Sequence, residues 1–521
     1  MHINLPHTFG HTVRKRRHGQ QSSSIFSKLD KVSHRTLPSS YPSPGHYTMQ
    51  KCRCCTEEML SVFNQCSPRG YICVVLCFPC DDSRREDIVH HIRQSLVRLA
   101  NNHPLFAGRL HTDDGRVYLR RSCAFDIPFE VIPTEAENEI DYEQLRRKEF
   151  PPATFIDTRY GIPGLAGTNC NPIPVSKVDV TFARGGLFLS VFLQHAITDG
   201  GSLSVFLEAF GNQTRNIPDS LPSEQRLRVS NPRLHSAASR KLSEMSPFNR
   251  LVKSCPEYAI LPDYSGPTQP RMHTIGQPIA DLNKIGKIFV FTTGRLEELR
   301  KLVRDTNHPD KLPTAYMSLA ALAFAHITKA RINTEPALTG IEPSQTAALW
   351  NSVNWRRRAF PGATDNYFGN AVLPAVTRVA REKINAATYD DKNLASLVPF
   401  IKDSIAEVDE EYVRRRMSMM SQAPDPRMVG VNYDPRSPEV LAFNTWRHFG
   451  ADIEWNIPGV PVTKPDTIRR ATGGFGLGTA LILPAKKDSG KQELYVSLTV
   501  DAMEELCHDE RWMEWVDRII G

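Results

Sequence analysis

The residues with the clearest chemical potential form the pattern His-x-x-x-Asp-Gly between two apolar segments. His195 follows the apolar run GLFLSVFLQ, and Asp199 and Gly200 come four and five positions later. An imidazole can accept a proton near neutral pH, and a nearby carboxylate can hold the local backbone. The pattern therefore indicates a general base of the kind used in acyl transfer. A chain with 17 histidines contains such a match about once by chance, so a structural histidine at a strand–helix junction is the competing interpretation.

The segments around these residues predict the elements that would position them. Apolar residues at 187–193 predict a buried strand, and residues 201–210 predict a helix after a short turn. Earlier in the chain, residues 71–78 predict another strand. The segment 84–101 predicts an amphipathic helix, because its apolar residues recur every three or four positions.

A hairpin and a second set of elements follow from the same rules. The dipeptide Asp114-Gly115 predicts a tight turn between segments 105–110 and 116–120. The second half of the chain predicts strands at 287–292, 368–377, 479–484 and 494–500, and helices at 294–305, 314–331, 501–507 and 510–519. The helix at 314–331 is apolar on most sides, which predicts that it is buried.

The length of 521 residues exceeds one ordinary core and predicts more than one domain. Residues 1–48 are rich in Ser, His, Pro and basic residues, and we expect a disordered tail. Residues 49–211 form the first predicted domain and residues 286–521 the second. Between them, residues 212–285 are proline-rich with little periodicity and predict a crossover linker.

Composition and charge restrict the classes of partner. The chain has 40% hydrophobic and 23% charged residues, as folded proteins do. Most of the net charge of +7 comes from residues 1–50, so no nucleic-acid-binding face is predicted in the remainder. No apolar run reaches the roughly 20 residues that span a bilayer, and no secretory signal is visible. We expect a cytoplasmic protein without membrane or nucleic-acid partners.

The 11 cysteines do not complete a metal site. Cys77 and Cys80 have CxxC spacing, but no second pair or His-x3-His follows at the distance that zinc sites require. Cys73 and Cys77 lie within an apolar run, where cysteine behaves as a small core residue. We therefore expect free thiols and no metal.

Six segments in order resemble the BAHD acyltransferases, in particular their fungal branch of secondary-metabolism O-acyltransferases. The resemblance covers residues 58–521. It is carried by LSVFNQ (60–65), HPLFAGRL (103–110), QHAITDG (194–200), SVNWRRRAFP (352–361), NYFGNAV (366–372) and LYVSLTVDAMEEL (494–506). It implies an α/β protein with two similar chloramphenicol acetyltransferase-like domains. Each would hold a mixed sheet flanked by helices, with a channel between the domains that reaches the histidine from both ends.

The resemblance also assigns roles to the motif residues. His195 becomes the general base that deprotonates an acceptor hydroxyl. Asp199 stands four residues on, across a turn, so its carboxylate should point away from the imidazole; the resemblance pairs it with Arg356. Gly200 and Gly201 are expected to allow a sharp turn and a close approach of the backbone.

Two further segments are compared with the family pattern. Asn444 and Trp446 align with a Thr-Ser-Trp segment near the oxyanion, which makes them oxyanion candidates, although a packed strand with a polar face is an equal alternative. Residues 451–461 depart from the family's Asp-Phe-Gly-Trp-Gly: Glu454-Trp455 stands where Asp-Phe would be, and only Gly459 keeps the glycine pattern. This departure puts loop shape and donor affinity in doubt.

The candidates for donor binding come from the resemblance as well. The signature residues Asn366, Tyr367, Gly369 and Asn370 are expected to be structural or to lie along the donor channel. CoA is multiply anionic, so Arg358 and Lys464 are candidates for the rim of its entrance.

The sequence thus predicts an acyltransferase of the EC 2.3.1 class. It would use acetyl-CoA or another acyl-CoA and act as a monomer on a hydroxyl of a fungal terpenoid, polyketide or alkaloid. Transfer would be direct, in a ternary complex, because no Ser or Cys nucleophile accompanies the histidine. The alternatives are a catalytically degenerate member that binds ligand without turnover, and a carrier-protein-dependent condensation enzyme, which shares the His-x-x-x-Asp-Gly core.

Overall fold

A computed structural model describes residues 56–133, 140–165, 171–218, 245–261, 277–304, 312–335, 338–340, 342–362 and 367–521. The predicted tail at 1–48 lies outside these residues, as do 219–244 and 262–276 of the predicted linker. Residues Arg53–Gly521 form one compact unit.

The first part of the chain contains β1 to β9 and α1 to α5. The strands are β1 (Thr56–Met59), β2 (Tyr71–Pro79), β3 (Arg109–Asp113), β4 (Arg116–Arg121), β5 (Phe129–Ile132), β6 (Ile173–Pro174), β7 (Ser176–Ala183), β8 (Gly186–Gln194) and β9 (Tyr258–Ile260). The helices are α1 (Val62–Gln65), α2 (Arg85–Asn102), α3 (Tyr142–Arg147), α4 (Gly200–Thr214) and α5 (Met245–Lys253).

The second part contains β10 to β18 and α6 to α13. The strands are β10 (Lys284–Thr292), β11 (Thr346–Asn354), β12 (Val372–Ala380), β13 (Val429–Val431), β14 (Val440–Thr445), β15 (Thr467–Ala471), β16 (Thr479–Ile482), β17 (Lys491–Thr499) and β18 (Arg518–Ile520). The helices are α6 (Thr293–Leu302), α7 (Ala315–Thr334), α8 (Arg381–Ala387), α9 (Asp391–Ala395), α10 (Leu397–Ala406), α11 (Glu410–Ser421), α12 (Val500–His508) and α13 (Glu510–Met513). Short 3-10 turns occupy Asp82–Arg84, Pro152–Phe155, Thr158–Tyr160, Ile279–Asp281 and Pro426–Met428.

Two mixed sheets organise these elements. The first has the strand order β15-β2-β8-β7-β5, and the second has the order β12-β11-β14-β16-β17-β10-β18. In the first, β5 and β7 are parallel and the other pairs are antiparallel. In the second, β14 is parallel to both of its neighbours. The mixed α/β architecture predicted from the resemblance is confirmed.

β8 is the strand that leads to His195, and all nine of its residues are buried. One face of its sheet packs on a cluster that includes Ile92 of α2 and Phe206 of α4. The other face packs on a smaller cluster that includes Tyr142 and Phe155. Because both faces are covered, most residues of β8 are apolar and they do not alternate with exposed polar residues, which is typical of buried central strands.

Several local predictions are confirmed. The β3–β4 hairpin turns at Asp114 and Gly115, whose φ values of 46° and 75° fit the two-residue turn that Asp-Gly favours. Helix α2 buries Ile88, Ile92 and the rest of its predicted apolar stripe. Helix α7 is buried along most of its length, as its apolar surface predicted.

Two local predictions are wrong in extent. A helix was expected over 510–519, but α13 ends at Met513 and the last residues form β18, which pairs with β10. Pairing with an open sheet edge there overrides local helix propensity. The strand expected at 368–377 is β12, which begins at Val372, because Gly369 and Asn370 instead contact the segment around His195.

The sequence did not reveal that the two halves share a strand. β15 comes from the second half of the chain, yet it forms the edge of the first sheet beside β2. In the described part of the predicted linker, β9 pairs with β13, and Phe248 of α5 is buried. The domain boundaries at 48, 211 and 285 stay predictions.

Candidate active site

His195 occupies the first position after β8, in a five-residue connection to α4. Its backbone N–H donates to the carbonyl of Gly70 at 2.8 Å, and its carbonyl accepts from Asn370 Nδ2 at 2.8 Å. The preceding Gln194 braces the turn: its Nε2 donates to the Arg69 carbonyl, and its Oε1 accepts from the Ala196 N–H, both at 2.8 Å. The main chain is thus held on both sides of His195, which fixes the direction of its side chain.

The imidazole of His195 is held in its neutral form. Desolvation lowers its pKa below the ordinary value of 6.5, and this effect exceeds the opposing influences of backbone groups and of Asp199. Nδ1 is enclosed and has no hydrogen-bond partner in the described part of the chain. Nε2 is therefore the nitrogen available to accept a proton from a bound molecule.

Asp199 points its carboxylate away from the imidazole, into an ion pair with Arg356. Arg356 Nη1 donates to Oδ2 at 2.8 Å and Nη2 donates to Oδ1 at 3.0 Å. Oδ1 also caps α4 by accepting from the Ser202 N–H at 2.9 Å, and Oδ2 accepts from the Ala371 N–H at 2.8 Å. Burial alone would raise the pKa of Asp199, but Arg356 and these hydrogen bonds outweigh it and the pKa is lowered.

Of the two reasons expected for Gly200 and Gly201, a turn and a close approach, the structure shows close packing against them. Neither has a positive φ, and the turn is made by the residues before them. A Cβ at Gly200 would overlap the ring of Phe449, and one at Gly201 would lie 2.9 Å from Arg356 Nη1. The glycines therefore allow side chains from the second half of the chain to approach the start of α4.

The signature residues 367–370 form a buried support behind the histidine. Tyr367 Oη and Ser61 Oγ are hydrogen-bonded at 2.5 Å, and the Asn370 N–H donates to Asn64 Oδ1 at 2.7 Å. A Cβ at Gly369 would lie 2.5 Å from Tyr367 Oη. These contacts join α1 to the segment before β12, and the Gly369 N–H joins α4 to it by donating to Ser202 Oγ at 3.0 Å. Asn366 lies outside the described residues.

A cavity of about 460 Å³ adjoins His195. Both oxyanion candidates, Asn444 and Trp446, line it together with the histidine, as does Asn370. Asn444 Oδ1 accepts from the Thr445 N–H at 2.7 Å, which leaves its Nδ2 as the donor. The remaining lining is mostly apolar and aromatic and includes Phe63, Ile72, Trp350, Val372, Leu373, Met420, Tyr433, Phe443 and Leu481.

Sequence reasoning missed the charged residue of this lining, Arg470 on the shared strand β15. The run Ile-Arg-Arg-Ala has neither the length nor the alternation that would predict a buried strand. The only available signal was the pair of adjacent basic residues at 469–470. Their placement depends on strand pairing between the halves of the chain.

The structure does not bring Arg358 and Lys464 to this cavity. Arg358 Nη1 donates to the Ile405 carbonyl at 2.7 Å, at the end of α10. Lys464 Nζ lies 3.4 Å from Asp452 Oδ1. Neither residue lines the cavity, and neither do Tyr367 and Gly369. Of the donor-binding candidates within the described residues, only Asn370 borders the space beside His195.

The divergent segment 451–461 packs away from the histidine. Trp455 is 1% exposed, and its ring centroid lies 5.2 Å from that of Phe210 on α4. Gly459 has φ of 76°, and a Cβ there would collide with Arg84. Glu454 is half exposed and pairs with Arg215 at 3.0 Å. The segment therefore serves as a packed connection onto the helices of the first sheet.

The described residues contain no group of three or more His, Cys, Asp or Glu that could hold a metal ion. Cys73 and Cys77 form no disulfide, and burial raises the pKa of both thiols. No helix in the described ranges has both the length and the apolar character for a membrane span.

Curated relatives with similar sequences are acyltransferases of fungi and plants. The chain is 20% identical over 508 residues to trichothecene 8-O-acetyltransferase of Fusarium sporotrichioides, covering 90% of this chain and 99% of the relative. It is 24% identical over 405 residues to a hydroxycinnamoyl-CoA:5-hydroxyanthranilate N-hydroxycinnamoyltransferase of Avena sativa, covering 76% and 81%.

Solved structures show the same fold. The crystal structure of F. sporotrichioides TRI101 complexed with coenzyme A and T-2 superposes with a TM-score of 0.67 at 20% identity, covering 89% of this chain and all of that one. Vinorine synthase has a TM-score of 0.56 at 18% identity, covering 92% and 96%. A family model described as the Transferase family matches residues 56–513. With this match over most of its length, the chain belongs to the BAHD family of acyltransferases.

Proposed function

We propose that the protein transfers an acetyl group from acetyl-CoA to a hydroxyl of a small secondary metabolite, with His195 as the general base. The observation that carries this proposal is the neutral imidazole of His195 at the wall of a mostly apolar cavity of about 460 Å³. Such a cavity suits a drug-sized apolar molecule with a few polar groups. We expect a monomeric, cytoplasmic enzyme.

In the proposed reaction, Nε2 of His195 accepts the acceptor's hydroxyl proton as its oxygen attacks the thioester carbonyl. The tetrahedral intermediate then collapses, the carbon–sulfur bond breaks, and the imidazolium returns the proton to the leaving thiolate. The donors Asn444 Nδ2 and Trp446 Nε1 are candidates for stabilising the oxyanion. Asp199 is committed to Arg356 and acts by holding the turn.

Direct transfer is favoured over a covalent acyl-enzyme. The cavity contains two cysteines, but burial raises the pKa of Cys66 to about 12 and that of Cys73 well above its ordinary value. A thiol with such a pKa is almost entirely protonated at neutral pH and is a poor nucleophile. This favours a ternary complex in which the acceptor attacks the donor directly.

The relatives support the choice of donor and acceptor. One relative is named a trichothecene 8-O-acetyltransferase, and the related TRI101 structures are complexed with coenzyme A and T-2 or with ethyl coenzyme A. By analogy, acetyl-CoA is the first donor to test, and hydroxylated fungal terpenoids, polyketides and alkaloids are the first acceptors. No specific observation favours the condensation-type alternative.

The proposal is tested by thiol release from acetyl-CoA. Purified protein is incubated with acetyl-CoA and a panel of hydroxylated metabolites, and acetylated products are identified by mass spectrometry. We expect release above the acceptor-free background for at least one class of acceptor. Acetyl-CoA that neither binds in calorimetry nor is consumed would contradict the donor assignment. Binding without release by any acceptor would favour the ligand-binding alternative.

The pH dependence of the reaction should follow the protonation of His195. A general base acts only when deprotonated, so kcat/KM should fall as pH decreases through the pKa of His195 and reach a plateau above it. Because desolvation lowers this pKa, the acid limb should have an apparent pKa below 6.5. The measurement is kcat/KM between pH 4.5 and about 9 in buffers of constant ionic strength. An apparent pKa above 7 would rule out the desolvated imidazole as the base.

A further inference from the structure

Arg470 is the only lining residue of the His195 cavity, within the described part of the chain, whose side chain is permanently charged. The cavity has no Asp, Glu or Lys in its lining, and its cysteines and tyrosines are neutral at pH 7. A positive charge in a concave site with apolar walls produces a focused positive potential. The cavity is therefore electrostatically suited to a ligand that carries a negative charge.

The neighbouring residue on β15, Arg469, has hydrogen-bond partners for its guanidinium within the protein. Arg469 is 3% exposed, pairs with Glu493 at 2.7 Å, and donates to the carbonyls of Phe150 and Glu149 at 3.0 and 2.8 Å. The side chain of Arg470 is partly exposed and makes no hydrogen bond or ion pair with any described residue. Strand alternation directs the two side chains to opposite faces, so Arg469 joins the sheets while Arg470 is left for the cavity.

Arg470 lies on β15 of the first sheet and lines the cavity together with Asn444 and Leu481 of the second sheet. Desolvation raises the pKa of Tyr495 on β17, and the charge of Arg470 opposes this by a smaller amount. Tyr495 packs in the cluster that includes Trp446 and Leu481, two residues of the cavity lining. The cavity that Arg470 lines is therefore also bordered by strands of the second sheet.

The sheet register gives the spacing between this charge and the base. Arg470 pairs with Val74, Val74 pairs with Val191, and His195 follows four residues later. Two strand spacings and four residues along a strand place the two Cα atoms roughly 16 Å apart. An anion held by Arg470 would therefore lie several bonds from a hydroxyl held by His195.

We propose that Arg470 binds a carboxylate of the acceptor, and so selects acceptors whose carboxylate is remote from the hydroxyl to be acylated. This inference rests on the proposed function, because it gives the chemical class of the acceptor. Arginine binds carboxylates through two parallel hydrogen bonds, which contribute orientation as well as affinity. The phosphates of the CoA donor are the other source of an oxyanion, and the test separates the two.

The test compares free acids with their methyl esters as probes. Dissociation constants for cholate, for 3-(4-hydroxyphenyl)propanoate and for both methyl esters are measured by ligand-observed NMR with wild type, Arg470→Gln and Arg470→Lys. Arg378→Gln is the matched control, since Arg378 is an exposed strand arginine outside the cavity. Thermal melting checks that each variant is folded.

We expect wild type and Arg378→Gln to bind at least one acid about 10- to 100-fold more tightly than its ester, as for a hydrogen-bonded charge. Arg470→Gln should lose this preference, and Arg470→Lys should keep part of it. Equal binding of both acids and their esters by wild type, or a preference that survives in Arg470→Gln, would overturn the inference. So would a tenfold loss of acetyl-CoA affinity in Arg470→Gln with an unchanged acid preference, which would assign the cation to the donor phosphates.

The experiments distinguish failure of the role proposed for Arg470 from failure of the proposed acetyl transfer. If acids bind through Arg470 but no acceptor is acetylated, the anion site stands and the acetyl-transfer proposal fails. If neutral acceptors are acetylated and neither acid is preferred to its ester, the transfer proposal stands and the role of Arg470 fails.

Discussion

Replacing His195 by alanine should lower acceptor-dependent thiol release by about 10²- to 10⁴-fold, the usual contribution of a general base. The loss should appear in kcat, because the imidazole acts on the proton in the transition state. Acetyl-CoA binding, measured by calorimetry, should change little. The measurement is the initial rate of thiol release with the acceptor identified in the panel.

The structure predicts that this variant remains folded. The backbone N–H and carbonyl of His195 make the contacts that hold the turn, and alanine keeps both groups. Nδ1 of the imidazole has no hydrogen-bond partner among the described residues, so alanine removes no hydrogen bond from that buried atom. The control is His508→Ala, which alters an exposed histidine on α12 and should leave the rate unchanged. Retention of more than a tenth of the wild-type rate by His195→Ala would exclude the general-base role.

Breaking the Asp199–Arg356 pair should cause the second large effect, a loss of stability. The two side chains are 3% and 17% exposed, so Asp199→Ala leaves a largely buried guanidinium without its carboxylate. Removing one partner of such a buried pair lowers the free energy of unfolding by about 3–5 kcal/mol. Loss of the N-cap of α4 accounts for about 1 kcal/mol of that decrease. Chemical denaturation should show a lower midpoint for Asp199→Ala than for wild type.

A double-mutant cycle isolates the pair itself. Asp199→Ala combined with Arg356→Ala should be less destabilised than the sum of the single variants, because the second change removes the unpaired charge. The matched control is the pair Arg414–Glu410, which is exposed along α11 and should show little coupling because solvent screens it. Additive effects of the Asp199 and Arg356 variants would contradict the coupling inferred from the geometry.

The pH profile distinguishes positioning from participation in proton transfer. Asp199 raises the pKa of His195 by its charge, although the net pKa is lowered by desolvation. Asp199→Asn keeps an oxygen for the Ser202 cap but removes the charge, so the acid limb of the profile should move to lower pH. A folded variant with an unmoved acid limb would show that the carboxylate has no electrostatic influence on the base.

Elements set by neighbouring residues were predicted from the sequence, and elements set by pairing between distant strands were not. The strand, turn and helix around His195, the Asp-Gly hairpin and the buried helix α7 were predicted correctly, because periodicity and turn chemistry act over a few residues. The helix expected at 510–519 failed where pairing of β18 with β10 decided the outcome. The glycines of the motif were predicted as important, but a turn was the wrong reason.

By itself, the sequence determined the family and the position of the histidine at the end of a buried strand. It also indicated which residues accompany the histidine, because these features lie within short ordered segments. Only the tertiary structure decided that β15 crosses to the first sheet, that Arg358 and Lys464 lie away from the cavity, and that Arg470 lines it. These outcomes depend on strand order and register between residues hundreds of positions apart. The free energy of such pairings is spread over both sheets, and no short segment of the chain carries it.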